Sequence, residues 1–159
     1  MKITVLSVGK IKESYFTEAM DEYSKRLSRY CTLEILQVAD EKTPDNAGEA
    51  LYRQILKKEG ERLMKHIRED AYVIALAIDG KPLTSEALAD KIGGLGISGT
   101  SHIQFLIGGS LGLDPEVLSK ADFQLSFSAM TFPHQLMRVI LLEQVYRSFR
   151  IIHGEPYHK

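Results

Sequence analysis

The continuous apolar run YVIALAI at 72–78, with HIQFLIG at 102–108 as another buried strand, constrains this chain more than any other feature. A strand with one wet face alternates apolar and polar residues, so a run without alternation marks a strand covered on both faces, as in parallel sheets. Other β-rich runs occupy 2–8 (KITVLSV) and 32–38 (TLEILQV), and ADFQLSF at 121–127 reads as a further strand. Helical segments separate them. Tyr15, Phe16, Ala19, Met20, Tyr23 and Leu27 recur at helical spacing. A long charged helix is expected from about 47 to 69. Thr84 or Ser85 caps a short helix ending at Ile92, after which GGLGISGTS reads as a flexible loop. Asp114-Pro115-Glu116 supplies an N-cap, a proline at the first position and an acid in the first turn of another short helix. LMRVILLEQVYRSF forms the last, long one. With no repeat, low-complexity segment or linker, the alternation gives one α/β domain over 1–159, with a mainly parallel sheet and helices on both faces.

Charge narrows the possible partners. Lys and Arg total 20 against 21 Asp and Glu, a net charge of −1, which argues against gripping nucleic acid by bulk electrostatics. The distribution is less even, because Arg138, Arg147, Arg150 and Lys159 outnumber Glu143 and Glu155 towards the end of the chain. A solvated helix face explains that set as readily as a polyanion contact. No apolar run approaches the roughly 20 residues of a membrane span, and MKITVLSVGKIK reads as a first strand rather than a signal peptide. The single cysteine, Cys31, has no internal disulfide partner and is expected to pack as a small hydrophobe, consistent with a cytoplasmic protein.

Parallel α/β sheets bind ligands beyond the carboxyl ends of their strands. Three such ends carry unusual residues: LAIDG (76–80), IGGSLG (107–112) and FSAMTF (127–132). GGSLG formally matches the nucleophile elbow of serine hydrolases, and Ser110, Asp122 and His134 follow in the matching chain order. That motif needs a helix directly after the serine, and here Leu111-Gly112-Leu113 intervene. No dinucleotide fingerprint, Walker lysine or metal-ligand spacing occurs. What remains is a ligand that takes apolar walls and backbone hydrogen bonds, such as a purine ring. Core filling is the plain alternative for Phe127, Met130 and Phe132 taken singly.

LAIDG, LIGGSLGLDP, LSFSAMTFPHQLMRVILLEQVYRSFRI and the terminal EPYHK together closely resemble the ribosomal RNA large subunit methyltransferase H family, of the SPOUT class. The likeness runs along the whole chain. It implies a C-terminal trefoil knot, a homodimer, and S-adenosyl-L-methionine as methyl donor. It also implies N3 methylation of a pseudouridine in 23S large-subunit rRNA on the assembled 70S ribosome. Residue by residue, the cofactor set is Leu76, Gly108, Phe127, Ser128, Ala129, Met130, Thr131 and Phe132. The tail completes the active site at the partner's cofactor, with Tyr157 stacking on or hydrogen-bonding the base and His158 positioning it or removing its proton. His134 is the alternative base, with a structural hydrogen bond at the helix start as its other explanation. Arg138, Arg147, Arg150 and Lys159 are the implied RNA contacts. Lys159 stands where relatives commonly carry arginine, which keeps the charge and removes bidentate geometry. A SPOUT enzyme for another RNA position, a ribosome-binding module without catalysis and the hydrolase are the competing readings.

Overall fold

The computed structural model describes Met1–Lys159. Five strands, β1 (Lys2–Val8), β2 (Thr32–Val38), β3 (Tyr72–Pro82), β4 (His102–Ile107) and β5 (Phe123–Ser126), form one sheet in the order β2-β1-β4-β3-β5. Every pairing is parallel. Five helices, α1 (Ser14–Leu27), α2 (Glu49–Met64), α3 (Ser85–Ile97), α4 (Pro115–Ser119) and α5 (His134–Ile152), make the connections and cover the faces.

The apolar runs behave as their lack of alternation requires. Successive side chains of a strand point to opposite faces, and both faces are dry. Ile3, Val5, Ile74, Ile103, Phe105 and Ile107 pack under α1, α3 and α5 with Met20, Leu88, Ile92, Leu141 and Leu142. Leu6, Val8, Val73, Ala75 and Leu106 pack on the other face with Leu63 of α2 and Val117 of α4. Most polar side chains within the layers are paired, as burial demands, the Ser7 hydroxyl being an exception. Thr4 Oγ1 lies 2.8 Å from His102 Nε2. Gln104 accepts from the Arg68 N–H at 2.8 Å and donates to the His66 carbonyl at 2.9 Å.

That glutamine explains one departure from the sequence reading. α2 stops at Met64 rather than near 69 because Gln104 takes up backbone groups of His66 and Arg68 that a continuing helix would use. The opposite departure occurs in α3, which runs through Gly93, Gly94 and Gly96 to Ile97 instead of ending at Ile92. Glycine weakens a helix by about 1 kcal/mol relative to alanine, and the continued turns of α3 meet α5, where a Cβ on Gly93 would make an ordinary contact with the Ile152 side chain at 3.4 Å. Thr84, not Ser85, is the cap, its hydroxyl accepting from the Ala87 N–H at 3.0 Å. β3 also runs past the expected strand, to Pro82, with its pairing to β5 interrupted between Leu76 and Lys81. No helix is long and apolar enough to cross a membrane.

Leu142, fully buried between α5 and the sheet, tests the packing. Leu142→Ala is expected to lower unfolding free energy by about 2–5 kcal/mol, read from the urea midpoint at unchanged slope.

Candidate functional site

The carboxyl ends of β3, β4 and β5 open into a cleft of about 690 Å³. Leu76, Ala77 and Ile78 supply one wall, the Ile107–Gly112 turn a second, and the connection from β5 to α5 the third. Of the residues expected to hold a ligand, Leu76, Gly108, Phe127, Ser128, Met130, Thr131 and Phe132 line it. Ala129 lies in the same loop without lining the cleft. Ile78, Met137, Ser110, Leu111 and Gly112 line it too and were not among the residues expected to hold the ligand. Ile78 is 53% and Met130 74% exposed, too wet for core filling.

The glycine turn owes its shape to the missing side chain. A Cβ on Gly108 would overlap the Gly112 carbonyl, so only glycine fits. The Gly112 N–H donates back to Gly109 at 3.0 Å, and Gly112 itself has φ +83°, a left-handed conformation that glycine tolerates. In the third wall, Ser128 Oγ accepts from the Met130 N–H at 2.9 Å and Ser126 Oγ donates to the Ser128 carbonyl at 3.3 Å. The loop is therefore folded on its own polar groups while its apolar side chains face the cleft.

Behind the glycine turn stands Glu59, only 4% exposed, whose Oε2 accepts from the Glu41 N–H at 2.9 Å. Burial raises its carboxyl above the ordinary carboxylate range. The Glu41 N–H offsets part of this, and the negative charge of Asp40 adds to the rise.

The hydrolase triad does not assemble. Ser110 follows β4, whereas Asp122 precedes β5 and accepts from the Val73 N–H at 2.7 Å, at the opposite edge of a parallel sheet. Ser110 Oγ instead lies 3.3 Å from Thr43 Oγ1. His134 does line the cleft, and its ring makes no side-chain hydrogen bond, so the structural explanation for it fails. Burial, and then the positive charge of Arg138, hold its pKa below the ordinary imidazole value, which leaves a neutral ring at neutral pH.

The tail is ordered. Glu155 accepts from Tyr30 Oη at 2.9 Å and pairs with Arg150, whose Nη2 donates to the Pro156 carbonyl at 2.9 Å. Tyr157 stands edge-on to Tyr146, centroids 5.0 Å apart, and donates to Glu143 at 3.0 Å. Desolvation, with that carboxylate next, pushes its phenol up to about 12. Arg147 Nη1 lies 3.1 Å from His158 Nδ1, and Glu86 Oε1 lies 2.7 Å from His158 Nε2. A guanidinium can only donate, so Nδ1 accepts and Nε2–H donates to Glu86. Neither Tyr157 nor His158 lines the cleft of its own chain.

The arginines correct the charge reading. Arg138 is fully buried, its Nη2 donating to the Val8 carbonyl at 2.7 Å, and so does not present itself to a phosphate. Arg147 is bound to Glu143 at 2.6 Å, and Arg150 to Glu155 and Tyr30. Both hold the tail. Lys159 is exposed.

The family described as "Predicted SPOUT methyltransferase" matches residues 1–158. A ribosomal RNA large subunit methyltransferase H of Bifidobacterium adolescentis is 69% identical over 159 residues, the whole of both chains. A protein of the same name from Clostridium novyi is 60% identical over the same span. Among solved structures, a probable methylase family protein from Haemophilus influenzae superposes with TM-score 0.53 over 99% of this chain and 70% of that one. At 12% identity it speaks for the fold alone.

Glu59 gives a test of the electrostatics behind the cleft. Because its folded pKa is raised, the protonated form favours the fold, and that stabilisation fades as pH rises from the ordinary carboxylate range through the raised value. Glu59→Gln is expected to match the wild type in thermal denaturation at about pH 4 and to melt higher than it at about pH 7.

Proposed function

The chain belongs to the SPOUT methyltransferase family, and from that premise we propose that it methylates N3 of a pseudouridine in 23S large-subunit rRNA, on the assembled 70S ribosome, with S-adenosyl-L-methionine as donor. The single observation that carries the reading is the cleft, whose glycine turn and β5–α5 connection are stretches on which the resemblance to the family rests. Its volume suits a nucleoside-sized ligand. The close approach of Gly108 to Gly112 leaves backbone N–H and C=O groups free of side-chain cover, and Leu76, Phe127, Met130 and Phe132 supply apolar walls for a purine and a thioether-like chain. The residues present therefore fit the donor.

When bound, S-adenosyl-L-methionine supplies an electrophilic methyl group. This chain must bring the acceptor nitrogen into line with it and take away the imide proton, since N3 carries one hydrogen before transfer and a methyl afterwards. Alignment supplies much of the rate, and a positioned base typically adds about 10²–10⁴-fold. His134 faces the cleft with an unpartnered ring. His158 and Tyr157 are held rigidly on α5, outside their own cleft. They reach a reacting base only at the cleft of a second copy, which makes the working unit a homodimer with composite sites. The knot follows the same geography. β5 is the sheet's outer strand, yet His134, eight residues on, lies beside Gly9 at the end of β1, so the chain crosses the ends of β3 and β4 between them. We take that crossing as the trefoil thread, and the cytoplasm, where ribosomes are, as the place of action.

Labelled methyl transfer to ribosomes from cells lacking the protein, mapped by nucleotide, tests the reading. Incorporation at a pseudouridine of large-subunit rRNA is the expected result, while incorporation elsewhere would assign another RNA position. Gly108→Ala is expected to weaken S-adenosyl-L-methionine binding at least about tenfold by calorimetry, equivalent to about 1.4 kcal/mol. Deleting 156–159 should leave that affinity within about twofold and lower the single-turnover rate by about 10² or more. Normal turnover without the tail would remove the composite site.

A further inference from the structure

With Arg138 in the core and Arg147 and Arg150 engaged by acids of their own chain, only Lys159 of the expected contacts is left free, and further free cations lie elsewhere. Three lie on loops that touch residues of the cleft. Lys10 and Lys12 lie between β1 and α1, and Lys42 between β2 and α2. All three are exposed, and none forms an ion pair, a side-chain hydrogen bond or a cation–π contact. Short approaches tie both loops to the cleft. A Cβ on Gly9 would lie 3.7 Å from His134 Nε2 and 3.8 Å from Asp40 Cβ. Thr43 Oγ1 reaches Ser110 Oγ in the glycine turn.

One acid of these loops, Glu41, is fully engaged, whereas none of the three lysines has a partner. Glu41 pairs with Arg62 at 3.0 Å and Lys58 at 3.5 Å. Asp40 is exposed with the charge of buried Arg138 beside it, and Glu13 is half-buried with one carboxylate oxygen that has no partner. Asp45 is exposed too, so two exposed acids share these loops with the three lysines. β2, β1 and β4 are consecutive in the sheet, with spacings of about 4.8 Å. The lysines thus form a row that approaches the cleft from the β2 side. A row of mobile ammonium groups with no internal partner suits phosphodiesters, which attract point charges and release counterions on binding.

We propose that Lys10, Lys12 and Lys42 are the track that seats the RNA backbone flanking the target base at the mouth of the cleft. The proposal rests on the RNA-methyltransferase reading above. It is tested with the full-length protein on ribosomes from cells lacking it, by measuring binding in a sedimentation assay across a potassium chloride series, and methyl incorporation in parallel. The triple variant K10A/K12A/K42A is expected to bind at least about tenfold more weakly, with a log–log salt slope shallower by about 2–3, near one for each phosphate no longer neutralised. Its affinity for S-adenosyl-L-methionine should stay within about twofold. K65A, at the opposite edge of the sheet beside Lys2 and His66, serves as control and should change neither ribosome affinity nor salt slope. Wild-type affinity and slope in the triple variant would overturn the track. Lysine-dependent binding without methyl incorporation would uphold the track and sink the reaction. Incorporation with an unaltered slope would do the reverse.

Discussion

The bond from the Arg138 guanidinium to the Val8 carbonyl joins residues 130 apart in sequence and fixes where the last helix begins. A charge-assisted hydrogen bond of this kind contributes about 1.5–3 kcal/mol, and losing it would also strand a buried carbonyl. With α5 pinned at the end of β1 and β5 at the sheet's far edge, the connection between them must lie across the ends of β3 and β4. The third wall of the cleft is that connection. Arg138 Nε and Nη1 have no partner in the chain, so the pin is not a fully satisfied network. Its guanidinium also helps hold His134 neutral at the cleft's lip.

Much of this architecture was legible in the sequence, because it follows from local rules. The runs at 2–8 and 32–38 are strands at the limits their composition marks, and the Asp114-Pro115-Glu116 start holds at α4. At the ends of α2 and α3 it is a distant residue that the helix meets. Gln104 ends α2, and Ile152 seats against Gly93 of α3. Tyr30 and Glu86 hold the tail through hydrogen bonds to Glu155 and His158 that no local pattern announces. Arg138 had a local signal that charge counting obscured. It falls on the same helical stripe as Leu141, Leu142, Val145 and Phe149, all of them buried.

Around the cleft, the charges divide by role. The cations of α5 are committed within the chain, where acids fix their geometry, and Tyr157 and His158 are held by the same groups, Glu143 and Arg147. Placement of the tail therefore depends on ion pairs that are partly buried and less screened than surface pairs. The lysines beside the cleft remain on loops in water. A near-zero net charge conceals both arrangements, since it sums over groups that never compete for the same partner.

The position of β1 between β2 and β4 has a consequence for synthesis. One edge of β1 is satisfied as soon as residues 32–38 emerge, but the other pairs with 102–107. Until then the nascent chain carries an unpaired, apolar strand edge of the kind that templates association between chains. Newly made chains are thus most vulnerable to one another before their own final third appears. The interval closes only when β4 inserts and completes the middle of the sheet.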